Sequence, residues 1–182
     1  NVLKDSNYSK ATAVIQHPQT GEVLAMASFP VYDNNLFIEG LSWNQFRILF
    51  ENKSRPWFNR AISGLYNPGS TIKPFMGLMT LEENIFSPSD TITDCVGLTV
   101  VNPYNQEDVH TFKNWRSELG PFNLKRAIAN SCNVYFYIAG GGYGSVKGLG
   151  VERIAKYLKS ALADSKLGID IPGEAEGFVP TP

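Results

Sequence analysis

Apolar residues form two strand-like runs near the start of the chain and recur at helical spacing further on. The two runs, residues 11–15 and 23–29, flank a segment that carries Pro18 and Gly21, which are residue types typical of turns. We therefore predict that an antiparallel β-hairpin opens the fold. Residues 30–40 are rich in Asn and aromatic side chains and are predicted to form a loop.

The best-defined helix is predicted to begin at Ser70. A turn signal of Asn, Pro and Gly precedes this residue at positions 67–69. The apolar residues that follow recur three and four positions apart, which is the spacing of one helix face turned towards a core. These residues are Ile72, Phe75, Met76 and Met79.

Capping residues and glycines predict the boundaries of the other helices. Ser42 and Asn123 are side chains of the type that caps a helix N-terminus, and the glycines at 140–142 are a helix stop. The predicted helices are residues 42–50, residues 124–129, the segment from Asn133 to these glycines, and residues 151–162. Residues 84–115 show no clear period and are predicted to be a long irregular excursion. A hairpin followed by helices indicates an α+β fold.

Composition narrows the class of protein without identifying it. Hydrophobic residues make up 43% and charged residues 18% of the 182 residues, which suits one folded domain and argues against disorder. The net charge of -1 shows no excess of basic residues, so the sequence does not indicate a nucleic-acid partner. No apolar run is long enough to span a bilayer, and no signal peptide is present. Because the chain begins at Asn1, we interpret it as a piece of a longer protein.

Ser70 and Lys73 form an S-x-x-K pair, whose spacing suits acyl transfer. Positions i and i+3 share a helix face, so the Lys73 amine is expected to reach the Ser70 hydroxyl. A lysine with a lowered pKa can take the hydroxyl proton, and the helix N-terminus offers backbone N–H groups to a developing oxyanion. One such pair is expected by chance in a chain with 14 serines and 10 lysines. The alternative is therefore a capping serine beside a solvated lysine.

A second polar cluster, Ser131 and Asn133, forms an S-x-N triplet between two predicted helices. The Ser131 hydroxyl could relay a proton between Lys73 and a leaving amine, and the Asn133 amide could bind a substrate amide and the lysine. Asn133 is predicted to face this cleft and Cys132 to face away from it. The alternative is again a helix cap, because Ser and Asn both favour that position.

The two cysteines, Cys95 and Cys132, do not form a C-x-x-C motif, and two free, buried thiols are favoured over a disulfide. Asp90, Asp94 and Cys95 could supply metal ligands, but nothing nearby in the sequence completes a set. No cofactor-binding motif is present, so neither a cofactor nor a metal is expected. Surface positions are predicted for the two histidines, His17 and His110.

Taken together, the segments around these motifs resemble the transpeptidase domain of class B penicillin-binding proteins. The order S-x-x-K and then S-x-N is that of the penicilloyl-serine transferases. The resemblance extends over nearly the whole chain and lies in residues 13–28, 59–61, 66–74, 129–137 and 168–180. Among class B proteins, the chain looks most similar to the cell-elongation type, penicillin-binding protein 2.

The resemblance implies the penicillin-binding transpeptidase and serine β-lactamase-like fold, an antiparallel sheet flanked by helices, of which residues 1–182 would be the N-terminal part. It also implies D,D-transpeptidation of peptidoglycan. Ser70 would attack the D-Ala-D-Ala bond of a stem peptide, with Lys73 as the base. Ser131 would relay protons, and Asn133 would position the substrate. β-Lactams would acylate Ser70 as mimics of that substrate.

The same resemblance implies a place at the extracytoplasmic face of the bacterial cytoplasmic membrane, with an anchor outside this chain. Implied partners are stem peptides, β-lactams, the remaining part of the transpeptidase domain and a membrane-bound glycan polymerase. The family's third motif, K-T-G or K-S-G, is missing. The nearest match is at positions 166–168, but its middle residue is Leu167, which lacks a hydroxyl. We therefore expect the strand with this motif to lie beyond Pro182, and the chain alone to be inactive.

Three other functions remain as alternatives. A class D-like β-lactamase would share S-x-x-K but hydrolyse its acyl-enzyme quickly, although Pro68, Gly69 and residues 59–61 argue against it. A β-lactam-sensing receptor domain would bind the drug and signal without catalysis. A non-catalytic domain would use both motifs only as helix caps.

Overall fold

The computed structural model describes residues 8–102 and 104–182, which form an α+β fold, as the sequence predicts. The chain divides into two compact units. The first unit comprises Asn1–Tyr66 and Lys166–Gly177, and the second unit comprises Asn67–Ser165 and Phe178–Pro182. Both sequence motifs of the candidate site lie in the second unit.

The first unit contains the predicted hairpin. Strand β1 (Ala11–Gln16) pairs antiparallel with strand β2 (Val23–Phe29), and the register shifts between Ile15 and Gln16. The turn is closed by the His17 amide, which donates to the Glu22 carbonyl at 2.8 Å. The prediction of a hairpin with its turn between the two apolar runs is therefore confirmed.

Two short helices follow the hairpin in the same unit. Helix α1 (Asn35–Ile38) is a single turn inside the segment predicted to be loop, so that prediction was wrong for four residues. Helix α2 (Trp43–Phe50) begins where the sequence places it. Ser42 Oγ accepts a hydrogen bond from the Gln45 amide at 3.3 Å, and the Gln45 side chain accepts one from the Ser42 amide at 2.9 Å, which completes a capping box.

The second unit begins with the segment that carries Ser70. A 3₁₀ turn (Gly69–Ile72) leads directly into helix α3 (Lys73–Glu82), so the α-helix starts three residues later than predicted. Gly69 has a φ of +56°, a left-handed conformation that glycine adopts without steric penalty and that starts the tight turn. Pro74 then lies in the first turn of α3, where its missing N–H removes no helical hydrogen bond. The predicted core-facing stripe is confirmed, because Met76 and Met79 are buried and its other members pack against the core.

A second hairpin replaces the irregular excursion predicted for residues 84–115. Strand β3 (Cys95–Asn102) pairs antiparallel with strand β4 (Asn105–Glu118), with Thr99 opposite Thr111. β3 contains an apolar, β-branched run of the kind typical of a strand, but most of β4 is exposed and polar, so its side chains do not alternate between apolar and polar. The prediction of an irregular excursion was therefore wrong for the residues of this hairpin.

Three helices complete the second unit: α4 (Leu124–Ala129), α5 (Asn133–Gly141) and α6 (Gly150–Ser160). All three were predicted, although α6 ends two residues before the predicted limit. Asn123 caps α4 by accepting from the Arg126 amide at 3.0 Å. The core is centred on residues that are almost completely buried, including Tyr135, Phe122, Met79 and Leu149. No helix in the described part of the chain is long and apolar enough to cross a membrane.

Candidate active site

Ser70 lies at an exposed position in the 3₁₀ turn that precedes α3. The Thr71 hydroxyl donates to the Pro68 carbonyl at 2.6 Å and so closes the turn around Ser70. The Ser70 hydroxyl is 3.0 Å from the hydroxyl of Ser131, which donates to it. An exposed hydroxyl with one fixed polar partner is accessible to an incoming acyl group.

Lys73 is buried beneath this hydroxyl pair, with 8% of its surface exposed. Its Nζ donates to Ser131 Oγ at 3.0 Å, to the Ser131 carbonyl at 2.8 Å and to Asn133 Oδ1 at 2.5 Å. The structure thus brings together all four site residues predicted from the sequence. The sequence predicts that the Lys73 amine contacts the Ser70 hydroxyl directly. The structure instead connects them through Ser131, because Lys73 donates to Ser131 and Ser131 donates to Ser70.

Burial lowers the pKa of the Lys73 ammonium below its ordinary value of 10.5. The physical cause is desolvation, which penalises the charged form of an amine. A lowered pKa increases the neutral fraction of Lys73 at any pH below 10.5, and only a neutral amine can accept a proton. The site therefore links a buried amine of lowered pKa to an exposed hydroxyl through hydrogen bonds.

The S-x-N triplet is presented by the connection between α4 and α5. Ser131 has a φ of +51°, a left-handed conformation that costs a serine about 1–2 kcal/mol. In this conformation both its hydroxyl and its carbonyl face Lys73. Asn133 is the first residue of α5, and its amide oxygen faces Lys73. Cys132 is completely buried, so the predicted opposite orientation of these two neighbours is confirmed.

Cys132 forms a disulfide with Cys95, with 5.9 Å between the two Cα atoms. The preference for two free thiols was therefore wrong, although the predicted burial is correct. A separation of 37 residues gives no sign of contact in the sequence. The contact arises because Cys95 begins β3 and β3 packs beside α5.

The disulfide also removes Cys95 from the set of residues considered as metal ligands. Among residues 8–102 and 104–182, no group of three or more His, Cys, Asp or Glu side chains is arranged to hold a metal ion. The four site residues can instead act as a chain of two hydroxyls and an amine. Such a chain activates a serine for attack on a carbonyl carbon.

Comparison with known proteins gives the family. Residues 11–182 match the family described as the penicillin-binding protein transpeptidase domain. The chain belongs to this family. Its resemblance to class B proteins of the penicillin-binding protein 2 type is also confirmed by two curated relatives, both named peptidoglycan D,D-transpeptidase MrdA. The protein from Acinetobacter baumannii is 33% identical over 166 residues, and the one from Haemophilus influenzae is 32% identical over 173 residues.

Solved structures of family members have the same fold. Pseudomonas aeruginosa PBP2, solved in complex with WCK 5153, is 33% identical and superposes over 94% of this chain with a TM-score of 0.76. Helicobacter pylori PBP2, solved in complex with MreC, is 29% identical and superposes over 98% with a TM-score of 0.80. The chain spans 35% and 31% of these two structures, and 23% and 25% of the two MrdA relatives.

Sequence analysis of this family member missed three residues of β4 that contact the S-x-N region. Trp115 Nε1 donates to the Asn130 carbonyl at 3.2 Å, and Arg116 donates to Asn130 Oδ1 at 3.0 Å. Asn114 Oδ1 accepts from the Asn133 amide at 3.0 Å. These residues lie in a segment without a readable period, so only the strand pairing reveals that they reach the site.

A large apolar cavity of about 690 Å³ lies elsewhere in the second unit. Its lining includes Leu98, Phe112, Phe136, Ile154 and Leu158, and none of the four site residues lines it. An apolar lining offers no nucleophile or base. The polar cluster around Lys73 is therefore the better candidate for the active site.

Proposed function

We propose that this chain carries the acylation site of a peptidoglycan D,D-transpeptidase, with Ser70 as its nucleophile. The observation that carries the proposal is the hydrogen-bond chain from Ser70 through Ser131 to the buried amine of Lys73. The similarity to MrdA proteins supports the same substrate class, a stem peptide that ends in D-Ala-D-Ala.

In the first half-reaction, Ser70 Oγ attacks the carbonyl carbon of the penultimate D-Ala. When Lys73 is neutral, both hydroxyl hydrogens turn towards it, so that the Ser70 proton passes to Ser131 and the Ser131 proton passes to Lys73 Nζ. The peptide C–N bond then breaks, and the leaving amine takes a proton back along the same route. The products are an acyl-serine ester and free D-Ala.

In the second half-reaction, an amine from a neighbouring stem peptide attacks the ester carbon. Lys73 accepts a proton from this amine through Ser131, and Ser70 leaves with a proton restored. Asn133 is proposed to position the substrate through its amide while it holds Lys73. β-Lactams follow only the first half-reaction, because the opened ring stays attached and blocks the amine.

The location and partners are proposed on the same basis. The Cys95–Cys132 disulfide supports an extracytoplasmic location, because disulfides persist outside the reducing cytoplasm. We propose a membrane anchor and a membrane-bound glycan polymerase partner outside these residues. The H. pylori relative was solved in complex with MreC, so an MreC-type protein is a further candidate. The rest of the domain is proposed to supply the third motif and a second oxyanion N–H.

Labelling with penicillin tests the proposed nucleophile. The full-length protein incubated with fluorescent penicillin is expected to carry one covalent label, located by mass spectrometry in the peptide that contains Ser70. The Ser70→Ala variant is expected to carry none, because no other hydroxyl at the site is both exposed and linked to Lys73.

Ser160→Ala is a suitable control, because Ser160 is an exposed serine at the end of α6 whose hydroxyl donates to the Tyr157 carbonyl of the same helix. Label on another residue, or label that survives Ser70→Ala, would exclude Ser70 as the nucleophile. The lifetime of the adduct also separates the alternatives, since a class D-like β-lactamase releases the opened drug quickly and a transpeptidase does not.

The lowered pKa of Lys73 predicts the pH dependence of acylation. Because the base must be neutral, the second-order rate constant for acylation should rise with pH through the pKa of Lys73 and then level off. Desolvation places this midpoint below 10.5. Stopped-flow measurement of penicillin acylation between pH 5 and 10.5 gives the midpoint, and a rate that does not change over this range would contradict the role of Lys73 as the base.

A further inference from the structure

Asn114 of β4 makes a set of hydrogen bonds that fixes the direction of its side-chain amide. Its Nδ2 donates to the carbonyls of Cys95 at 3.1 Å and of Arg116 at 2.7 Å. Its Oδ1 accepts from the Asn133 amide at 3.0 Å. With both donor hydrogens held by carbonyls, the oxygen of Asn114 is directed at the beginning of α5.

The amide that Asn114 receives is the first of helix α5. The first N–H groups of a helix have no partner within the helix, so they need acceptors from elsewhere. Here the acceptor comes from a residue 19 positions earlier in the sequence, on a different element. Asn114 thus caps α5 through a tertiary contact and fixes the backbone of Asn133.

The position of Asn133 determines what surrounds the lysine. Asn133 Oδ1 is 2.5 Å from Lys73 Nζ, the shortest of the three hydrogen bonds that Lys73 makes. The connection before Asn133 is held by the Cys95–Cys132 disulfide and by the Cys132 amide, which donates to the Ala127 carbonyl at 2.8 Å. The Asn114 contact is made one residue further on, to Asn133 itself, the residue that accepts from Lys73.

We propose that Asn114 is a positioning residue for acylation, which acts through Asn133 to hold the Lys73 amine in line with Ser131 and Ser70. This inference rests on the proposed function. It assigns to β4 a part in the reaction, although Asn114 itself touches neither Ser70 nor Lys73 in the hydrogen-bond chain.

The test compares acylation by penicillin in full-length wild-type protein, Asn114→Ala and a matched control, Asn102→Ala. Asn102 lies at the other end of the same hairpin, where it bonds Asp108 at 2.9 Å. A mutation that misplaces reacting groups by about 1 Å can cost about 10²-fold in rate. Asn114→Ala is expected to lose that much in the second-order rate constant, while Asn102→Ala stays within about twofold of wild type.

The pH profile separates positioning from a general loss of stability. Asn114→Ala releases Asn133, and Lys73 then loses an acceptor that favours its charged form, so the midpoint of the profile should move to lower pH. Asn114→Asp keeps an acceptor for the Asn133 amide, so its rate constant should exceed that of Asn114→Ala, whatever its added charge does to the midpoint. A purely structural role would leave the midpoint of Asn114→Ala unshifted.

Each outcome has a defined meaning. The inference is supported if the wild type is labelled, Asn114→Ala is slower with its midpoint moved to lower pH, and Asn114→Asp is faster than Asn114→Ala. If the wild type is labelled but Asn114→Ala stays within about twofold of it, or has an unchanged midpoint, the inference is overturned and the proposed function stands. Absence of label in the wild type contradicts the proposed function itself. If Asn114→Ala is not recovered folded, Asn114→Leu decides, because leucine keeps the volume but has no acceptor, and a rate within about twofold of wild type counts against Asn114.

Discussion

Replacing Lys73 by arginine is expected to slow acylation of Ser70 by about 10²- to 10⁴-fold, which is the usual contribution of a general base. Arginine keeps a positive charge and a long side chain, but it does not lose its proton near neutral pH. The three acceptors around Nζ can still receive hydrogen bonds from a cation. The substitution therefore removes the proton-accepting function while it preserves the charge.

The measurement is the second-order rate constant for acylation by fluorescent penicillin, expressed per folded molecule. Lys125→Arg is the matched control, because Lys125 is exposed on α4 and is expected to tolerate the change. The Lys73→Arg variant should also lose the rise of its rate with pH. An arginine variant that acylates as fast as Lys125→Arg would show that Lys73 is not the base.

Removing the disulfide is expected to lower the free energy of unfolding by about 4 kcal/mol, as the chain-entropy estimate gives for a loop of this size. The bond joins residues 37 positions apart and links β3 to the residue before α5. Without it, the unfolded chain gains conformational freedom while the folded state gains nothing. The corresponding fall in Tm is about 8–16 °C for a domain of 150–250 residues.

Thermal unfolding of the full-length protein, followed by circular dichroism with and without a dithiol reductant, measures this effect. Reduction consumes one dithiol and leaves two cysteine thiols, so the wild type should unfold at a lower temperature when reduced. The double variant Cys95→Ala and Cys132→Ala provides the control, because its Tm should not depend on the reductant. A wild-type Tm that is the same in both conditions would indicate that the bond contributes little.

The sequence predicted those parts of the fold that depend on short-range interactions. The first hairpin follows from two apolar runs and a turn, and α2 and α4 follow from their capping residues, Ser42 and Asn123. Each of these features depends on residues that are close together in the sequence, so the sequence alone is enough to predict it. The start of α3 was displaced because Gly69 and Pro74 favour a tighter turn first.

The hairpin of β3 and β4 was missed. The run of Val, Leu and Thr in β3 is typical of a strand, but the polar residues of β4 interrupt the alternation that would identify its partner. Strand pairing holds the exposed part of the hairpin, while Cys95 and Leu98 of β3 are buried in the core. Asn114 and Cys95 lie in this hairpin. Their contacts with the site were therefore not predicted either.

The sequence by itself determined the candidate chemistry of this protein, because Ser70, Lys73, Ser131 and Asn133 offer two hydroxyls, an amine and an amide in the order that the family resemblance carries. Only the tertiary structure decided how they connect. Residues 61 positions apart meet when α3 packs against α5, and this packing inserts Ser131 between Ser70 and Lys73. Burial of Lys73 and closure of the disulfide depend on the same packing, since desolvation and long-range contact exist only in the folded chain.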